Sequence, residues 1–250
     1  MNIEKNSPFE SGKTLGVFAH PDDDAMAAAV LRQISDENPD GLELVFASYG
    51  ENGVIRHWDD KNGIVVEDDT VPPELLGSLR QHEALNAAKL HGIDDPEQGV
   101  NFLRGLSDDS LMNFESIFSM RNQLSRLIKD HNIRHVVTLG RNALDRHYDH
   151  NATAIGTELA VADMNTQDHE VALWGIRASM GVDYIACTKS EQVKQAALEY
   201  FTQFPREEVF DQVVESSNPN YGRFLVVSGL VRVDPLPGAV RVENRELVHA

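Results

Sequence analysis

Cysteine is almost absent from this sequence. Cys187 is the sole one in 250 residues, so the chain can neither close an internal disulfide nor build a thiolate zinc site from its own residues. Long apolar runs are missing as well. The N-terminal stretch MNIEKNSPFESGK is polar, and the first apolar run, Leu15 to Ala19, is far too short for a signal-peptide core or a membrane span. A soluble, cytoplasmic protein is the expectation. Basic residues are scarce: 22 Lys plus Arg stand against 40 Asp plus Glu, a formal net charge of -18. With no local Lys/Arg cluster, such a chain repels nucleic-acid backbones and anionic membranes, so neither is expected as a partner. Repeats, low-complexity tracts and Pro/Gly/Ser linkers are also lacking, which argues for one folding unit. What is present is ordinary for a globular domain. Hydrophobic residues make up 41% and charged residues 25%, enough for a real core and incompatible with disorder of the whole chain.

Strand-like and helix-like segments alternate. Thr14 to Ala19 is a short apolar run of the kind expected of a strand buried on both faces, and Ala25 to Ile34 follows as a helix. Leu42 to Ala47 reads as a second strand. Leu75 to His91 reads as a helix ended by Gly92, and Ser110 to Asp130 as a helix with apolar residues at helical spacing. Arg134 to Leu139 is a β-branched strand, Ala152 to Ala162 a helix, Val171 to Trp174 and Val182 to Ala186 strands, and Glu191 to Phe204 a helix. Gly50 to Pro73 and Asp94 to Gly105 look like loops, with a small hairpin open as a reading of Lys61 to Asp69. The alternation predicts a single α/β domain, residues 1–250, built on a Rossmann-like, mostly parallel sheet with helices on both faces. Its core is placed at about residues 14–233, and 234–250 is read as an extended C-terminal segment.

Two clusters carry chemistry. Ala19-His20-Pro21-Asp22-Asp23-Asp24 follows the first strand directly. Three adjacent carboxylates beside a histidine repel one another unless a cation or strong donors neutralise them, and His and Asp are ordinary ligands for a metal such as zinc. Read alone, the acids could equally cap the next helix. Arg146-His147-Tyr148-Asp149-His150 follows the strand Arg134 to Leu139, and alone it too could be a capping or ion-pairing cluster. Together the two are stronger, because both lie just past the carboxyl end of a predicted strand, where open parallel sheets bind ligands. Ser48 to Gly53, past the second strand, should reach the same rim.

These residues resemble the PIG-L/LmbE-type metal-dependent deacetylases, which act on N-acetylglucosaminyl groups. The likeness rests on AHPDD at Ala19 to Asp23 and HxDH at His147 to His150. Softer support comes from Gly50-Glu51-Asn52-Gly53, Arg80-Gln81-His82-Glu83 with Ala87-Ala88, Leu106-Ser107-Asp108, and Lys194 to Gln203. The resemblance implies a hydrolase that releases acetate and a free amine from an amino-sugar conjugate. It implies His20, Asp23 and His150 as ligands of Zn²⁺, with Fe²⁺ the other metal such a site takes. It further implies Asp22 as general base, His147 as the group that stabilises the oxyanion and protonates the leaving amine, and Asp149 as the residue that holds His147. The family usually has Glu at the position of Asp24 and Pro at that of Tyr148, and the segment Gly140 to Arg146 also departs from the usual loop, which leaves the aglycone unnamed.

Other residues have two readings each. Arg80 and Glu83 form either a surface ion pair or, for Arg80, a contact to an anionic or hydroxyl-rich part of the substrate. Glu51 is either a turn residue or an acceptor for sugar hydroxyls. Asp108 either caps the helix that follows or touches substrate. Arg141 and Arg146 pair with nearby acids or meet a substrate anion. His57, His82, His91, His131, His135, His169 and His249 have no partner motif and are read as structural or solvated, and Cys187 as a core thiol. A metal-dependent phosphohydrolase and a sugar-binding, catalytically degenerate member of the fold are the rival functions. A homo-oligomer is compatible with everything in the sequence.

Overall fold

The computed structural model describes residues 9–38, 41–140, 147–167, 169–178, 184–185, 190–211 and 228–233. The expectations for Arg141, Arg146, Cys187, His249 and the segment 234–250 lie outside them. The chain begins with β1 (Lys13–Phe18), a 3-10 turn (Asp23–Ala27), α1 (Ala28–Glu37) and β2 (Leu42–Phe46). The hairpin strands β3 (Ile55–Asp59) and β4 (Ile64–Asp68) come next, then α2 (Pro73–Leu90), the short α3 (Pro96–Gly99) and β5 (Val100–Phe102). The remainder comprises α4 (Phe114–Asp130), β6 (Ile133–Leu139), α5 (Tyr148–Asn165), β7 (Ala172–Ala178), β8 (Tyr184–Ile185), α6 (Ser190–Glu199) and β9 (Ser228–Val233).

Seven strands form one sheet in the order β5-β2-β1-β6-β7-β9-β8. The neighbours from β5 to β7 are all parallel, and β9 runs antiparallel to both β7 and β8. The mostly parallel α/β fold is therefore as the sequence predicts. Strand β1 is buried from Thr14 to Phe18 because it is covered twice. Phe18 joins Leu31, Ile34, Phe46, Ala84 and Ala196 on the face carrying α1, α2 and α6. Leu15 and Val17 join Val136, Met120, Leu124 and Ala160 on the face carrying α4 and α5. Among the described residues, no helix is long and apolar enough to cross a membrane.

Several boundaries differ from the sequence expectation, each for a local reason. Helix α4 starts at Phe114 rather than Ser110, since Asn113 Oδ1 accepts the Ser116 N–H at 2.8 Å and caps it there. Helix α5 starts a full turn earlier than Ala152, so HxDH lies in its first turn with His147 as the cap. The hairpin spans Ile55 to Asp68, longer than Lys61 to Asp69; β3 is half-buried along its length and lacks an alternating pattern. Helix α6 ends at Glu199, because the following residues turn tightly, with Gln203 and Phe204 N–H groups both returning to the Tyr200 carbonyl. Strand β9 and the three-residue β5 were not anticipated. Gly92, at φ 89, ends α2 as expected.

The packing of α4 on α5 depends on a missing side chain. A Cβ on Gly156 would lie 2.7 Å from Met120 Sδ and 3.1 Å from its Cγ, and Met120 is fully buried. Gly156→Ala is therefore expected to destabilise the fold by about 1–3 kcal/mol through overpacking, despite alanine's better helix propensity. In a Met120→Ala background the same change should cost much less, measured by urea unfolding of all four proteins. Equal losses in both backgrounds would show that the contact is not the cause.

Candidate active site

The sheet turns outward from β1: β2 lies on one side of it and β6 on the other. The crevice above their carboxyl ends is the switch point of the fold. The loops after β1, β2 and β5 and the start of α5 meet there. Three of these were expected; the loop after β5 joins them.

The loop after β1 is held by its own acids. Asp22 has φ 105 and ψ -25, a backbone conformation that costs a non-glycine residue of order 1–3 kcal/mol. Asp23 turns its carboxylate back to accept the His20 backbone N–H at 2.9 Å through Oδ2. The same Oδ2 lies 3.5 Å from His20 Nδ1, and Oδ1 lies 2.9 Å from His150 Nε2. The imidazoles of His20, His147 and His150 stand with ring centres 4.9–5.4 Å apart, and one nitrogen of each falls within 4.8 Å of the others. His20 and His150 are buried, while His147 is exposed at the helix end. Of the expected ligands, Asp23 meets His20 and His150 pairwise, while the donor sets that lie within 4.8 Å of one another are His20 with His147 and His150, and His20 with Asp108 and Asp149.

The other face of His20 is held by acids from two loops. Its Nε2 lies 2.8 Å from Asp108 Oδ1 and 3.3 Å from Asp149 Oδ2. The Asp149 carboxylate also accepts the backbone N–H groups of Asp109 at 2.8 Å and Leu111 at 3.1 Å. Asp109 at φ 62 lets these amides converge on one anion. Toward His147, Asp149 presents its own backbone N–H, which donates to Nδ1 at 3.3 Å. Asp108 does not cap α4. Its Oδ2 accepts the Asn52 N–H at 3.2 Å, and its own N–H donates to Glu51 Oε1 at 3.0 Å. Glu51 therefore joins two loops, while its buried Oε2 has no hydrogen-bond partner among the described residues.

Arg80 and Glu83 are not a surface pair. Both are buried, and Glu83 accepts Thr202 N–H at 2.7 Å and Thr202 Oγ1–H at 2.8 Å. The Arg80 guanidinium lies against the Gly50–Gly53 turn. A Cβ on Gly50 would meet Nη1 at 2.4 Å and one on Gly53 would meet Nη2 at 2.4 Å, so the glycines of GENG are what let the cation approach. Its buried Nε has no hydrogen-bond partner among the described residues.

The electrostatics follow from this crowding. Burial and the Asp23 charge raise the Asp22 carboxyl to about 7, against the pull of Arg80. Burial also works against Asp23, yet the charge and hydrogen bonds of His150 and His20 hold it well below the usual carboxylate range. His20 is pushed down by burial but carried well above 6.5 by Asp108, Asp149 and Asp23. Burial is the largest single influence on Asp108 and raises it, but the hydrogen bond and charge of His20, the charge of Arg80 and the Asn52 N–H together outweigh it and leave the group lowered.

Glu83 gives a test by stability. Burial raises its pKa from 4.5 to about 7, against the hydrogen bonds from Thr202. The folded state thus favours the protonated form, and the stabilisation present below about pH 4.5 is lost as pH rises through about 7. Glu83→Gln cannot titrate. Between pH 5.5 and 8 the wild type should lose about 2 kcal/mol relative to this variant in urea unfolding. Parallel pH profiles would show that Glu83 is charged throughout.

By overall structure the chain is similar to N,N'-diacetylchitobiose deacetylase from Pyrococcus horikoshii, with TM-score 0.65 and 17% identity over 93% of this chain and 88% of that one. It is also similar to GalB, the 4-carboxy-2-hydroxymuconate hydratase of Pseudomonas putida KT2440, with TM-score 0.58 and 15% identity over 90% and 97%. A deacetylase of the teicoplanin biosynthetic pathway follows, with TM-score 0.53 and 17% identity over 89% and 99%. At such identities the likeness is one of fold. A sequence comparison with curated proteins finds no match. The profile of the GlcNAc-PI de-N-acetylase family, PIG-L, matches residues 15–161, which contain all the site loops described above, and the chain belongs to that family.

Proposed function

We propose that the protein is a cytoplasmic, zinc-dependent hydrolase that removes the acetyl group from an N-acetylglucosaminyl conjugate, giving acetate and a free amine. The observation that carries this reading is the meeting of His20, Asp23 and His150 at the switch point, with a second carboxylate, Asp22, and a third imidazole, His147, beside them. The donor set fits Zn²⁺ or Fe²⁺: two imidazoles and one carboxylate make an open three-ligand site. His20 meets Asp23 through Nδ1, while its Nε2–H is held by Asp108 and Asp149, the outer carboxylates that orient a ligating imidazole.

When bound, a divalent metal would polarise the amide carbonyl and lower the pKa of a coordinated water toward about 7. The protein's own groups do the rest. Asp22 takes the proton of the attacking water, its carboxylate held beside Asp23 by the turn. His147 accepts the Asp149 N–H at Nδ1, which leaves the proton of the neutral ring on Nε2, where it donates to the developing oxyanion. To deliver the proton that the departing amine requires, the exposed ring gives up its bond to the Asp149 N–H and takes a second proton at Nδ1 from solvent, while the proton taken by Asp22 returns to solvent. Arg80 and the unpaired Glu51 Oε2 are assigned to the sugar, with Asp108 acting on His20 and the loop as well. Tyr148, 75% exposed beside His147, stands where the aglycone would leave the crevice.

The deciding experiment is acetate release from a panel of N-acetylglucosamine conjugates, with metal measured on the same preparation. Acetate from at least one conjugate, lost on chelation, is the expected result. Turnover of a phosphoester with no acetate from any sugar would transfer the site to the phosphohydrolase reading, and sugar binding without turnover to the degenerate one. Within the site, His150→Ala should lose most metal on dialysis and its activity with it. Asp22→Asn should keep the metal and lose roughly 10²–10⁴-fold in rate. Arg80→Ala should raise KM with metal content unchanged. An Asp22→Asn protein that purifies metal-free, or a His150→Ala protein with full metal, would overturn the division of tasks.

A further inference from the structure

Tyr200 is fully buried where α6 ends, beyond residue 161 at which the family match stops. Its hydroxyl donates to Asp24 Oδ1 at 2.5 Å. The second Asp24 oxygen is 2.7 Å from His91 Nε2 at the end of α2. Asp24 and His91 are fully buried too. The turn that these side chains hold is the one at which Asp22 has φ 105. A left-handed aspartate persists only where its surroundings hold it there. The 3-10 turn supplies one tie, from the Ala25 N–H to the Asp22 carbonyl at 3.1 Å. Tyr200 supplies a second through the Asp24 side chain. Asp24 sits within reach of both Tyr200 and His91.

We propose that Tyr200 is a positioning residue, whose hydroxyl clasps the Asp22–Asp24 turn and sets the direction of the Asp22 carboxylate. The proposal rests on the reading of Asp22 as the base. His91 braces Asp24 from the far side, so the clasp draws on three segments distant in sequence. Positioning of this kind acts on the rate of proton removal and leaves the metal ligands and the sugar contacts unchanged.

The test uses the metal-loaded full chain and Tyr200→Phe, which removes one oxygen. The expected result is a fall in kcat of at least about tenfold, with KM and metal per protein unchanged. In the crystal structure of the variant, Asp22 should leave the left-handed region. In an Asp22→Asn background the same change should produce no further fall, since the group it positions is already gone. A structural role alone would lower the unfolding temperature and leave the kcat of the folded protein intact. Replacing Tyr200 by 4-aminophenylalanine, which keeps a donor and an acceptor at the same place, should restore most of the rate. Should Tyr200→Phe fail to fold, Asp24→Asn, which removes the charge that Tyr200 donates to, gives the same comparison. Wild-type kcat in the variant, an equal fall in both backgrounds, or Asp22 still near φ 105 would overturn the clasp. Full activity of Asp22→Asn by itself would instead overturn the base, and the two failures are told apart by the crystal structure.

Discussion

Three consecutive carboxylates at the end of a buried central strand are the constraint around which this molecule is arranged. Adjacent charges in a low-dielectric place raise one another's pKa unless each finds separate compensation. The fold gives each aspartate a different solution. Asp23 takes the two buried imidazoles, His20 and His150, and is held ionised. Asp24 is turned the opposite way into the core, between His91 and Tyr200. Asp22 is left half-buried with only the longer-range charges of Arg80 and His20 to help it, and its carboxyl rises to about 7. One residue of the run is thus a stable anion, one a structural anchor, and one, the proposed base, a carboxyl raised toward neutrality.

That division requires the backbone to turn sharply within three residues, which explains the left-handed Asp22 and the short 3-10 turn after it. It also requires the neighbouring loops to be tied to the turn. His20 is the knot: Asp108 from the loop after β5 and Asp149 from α5 both reach its Nε2. Asp149 is in turn bound by two backbone amides of the β5 loop, and Asp108 by Asn52 of the β2 loop. Removing one of these acids would leave buried donors unmet as well as an imidazole unheld. The acidity of the chain is therefore partly internal. Several of its 40 acids are absorbed by histidines and backbone amides in the crevice.

The sheet was legible in the sequence because a strand buried on both faces has a plain signature, a short apolar run, and Thr14 to Ala19, Leu42 to Ala47 and Arg134 to Leu139 all have it. The metal-type residues were legible because HPDD and HxDH are dense in donors and fall after two of those runs. What was hidden depends on distance in sequence. Asp108 resembles a cap, and only the fold shows that Asn113 does the capping while Asp108 turns to His20. Arg80 and Glu83 have the spacing of a surface pair, and their burial is decided by the Gly50–Gly53 turn and by Thr202, 119 residues after Glu83. His91 carries no motif and Tyr200 only the soft likeness of Lys194 to Gln203; they become informative once both are found on the two oxygens of Asp24.

A fold shared by deacetylases and by a hydratase leaves the reaction to the loops. Hydrolysis of an amide and addition of water to a carbon chain both begin with a water and a base. They part at the next step, because amide cleavage must protonate a nitrogen that leaves poorly. The site therefore needs a proton donor on the side away from the base, where the substrate lies between them. In this chain the histidines divide along that line: His20 and His150 are buried beside Asp23, and His147 is exposed at the first turn of α5. Under the proposed function, the exposed ring is the one of these three that could meet a bulky leaving group without disturbing the buried pair. Its position is set by the helix cap and not by the contacts of Asp23, so the rim and the interior of the site are held by separate parts of the fold.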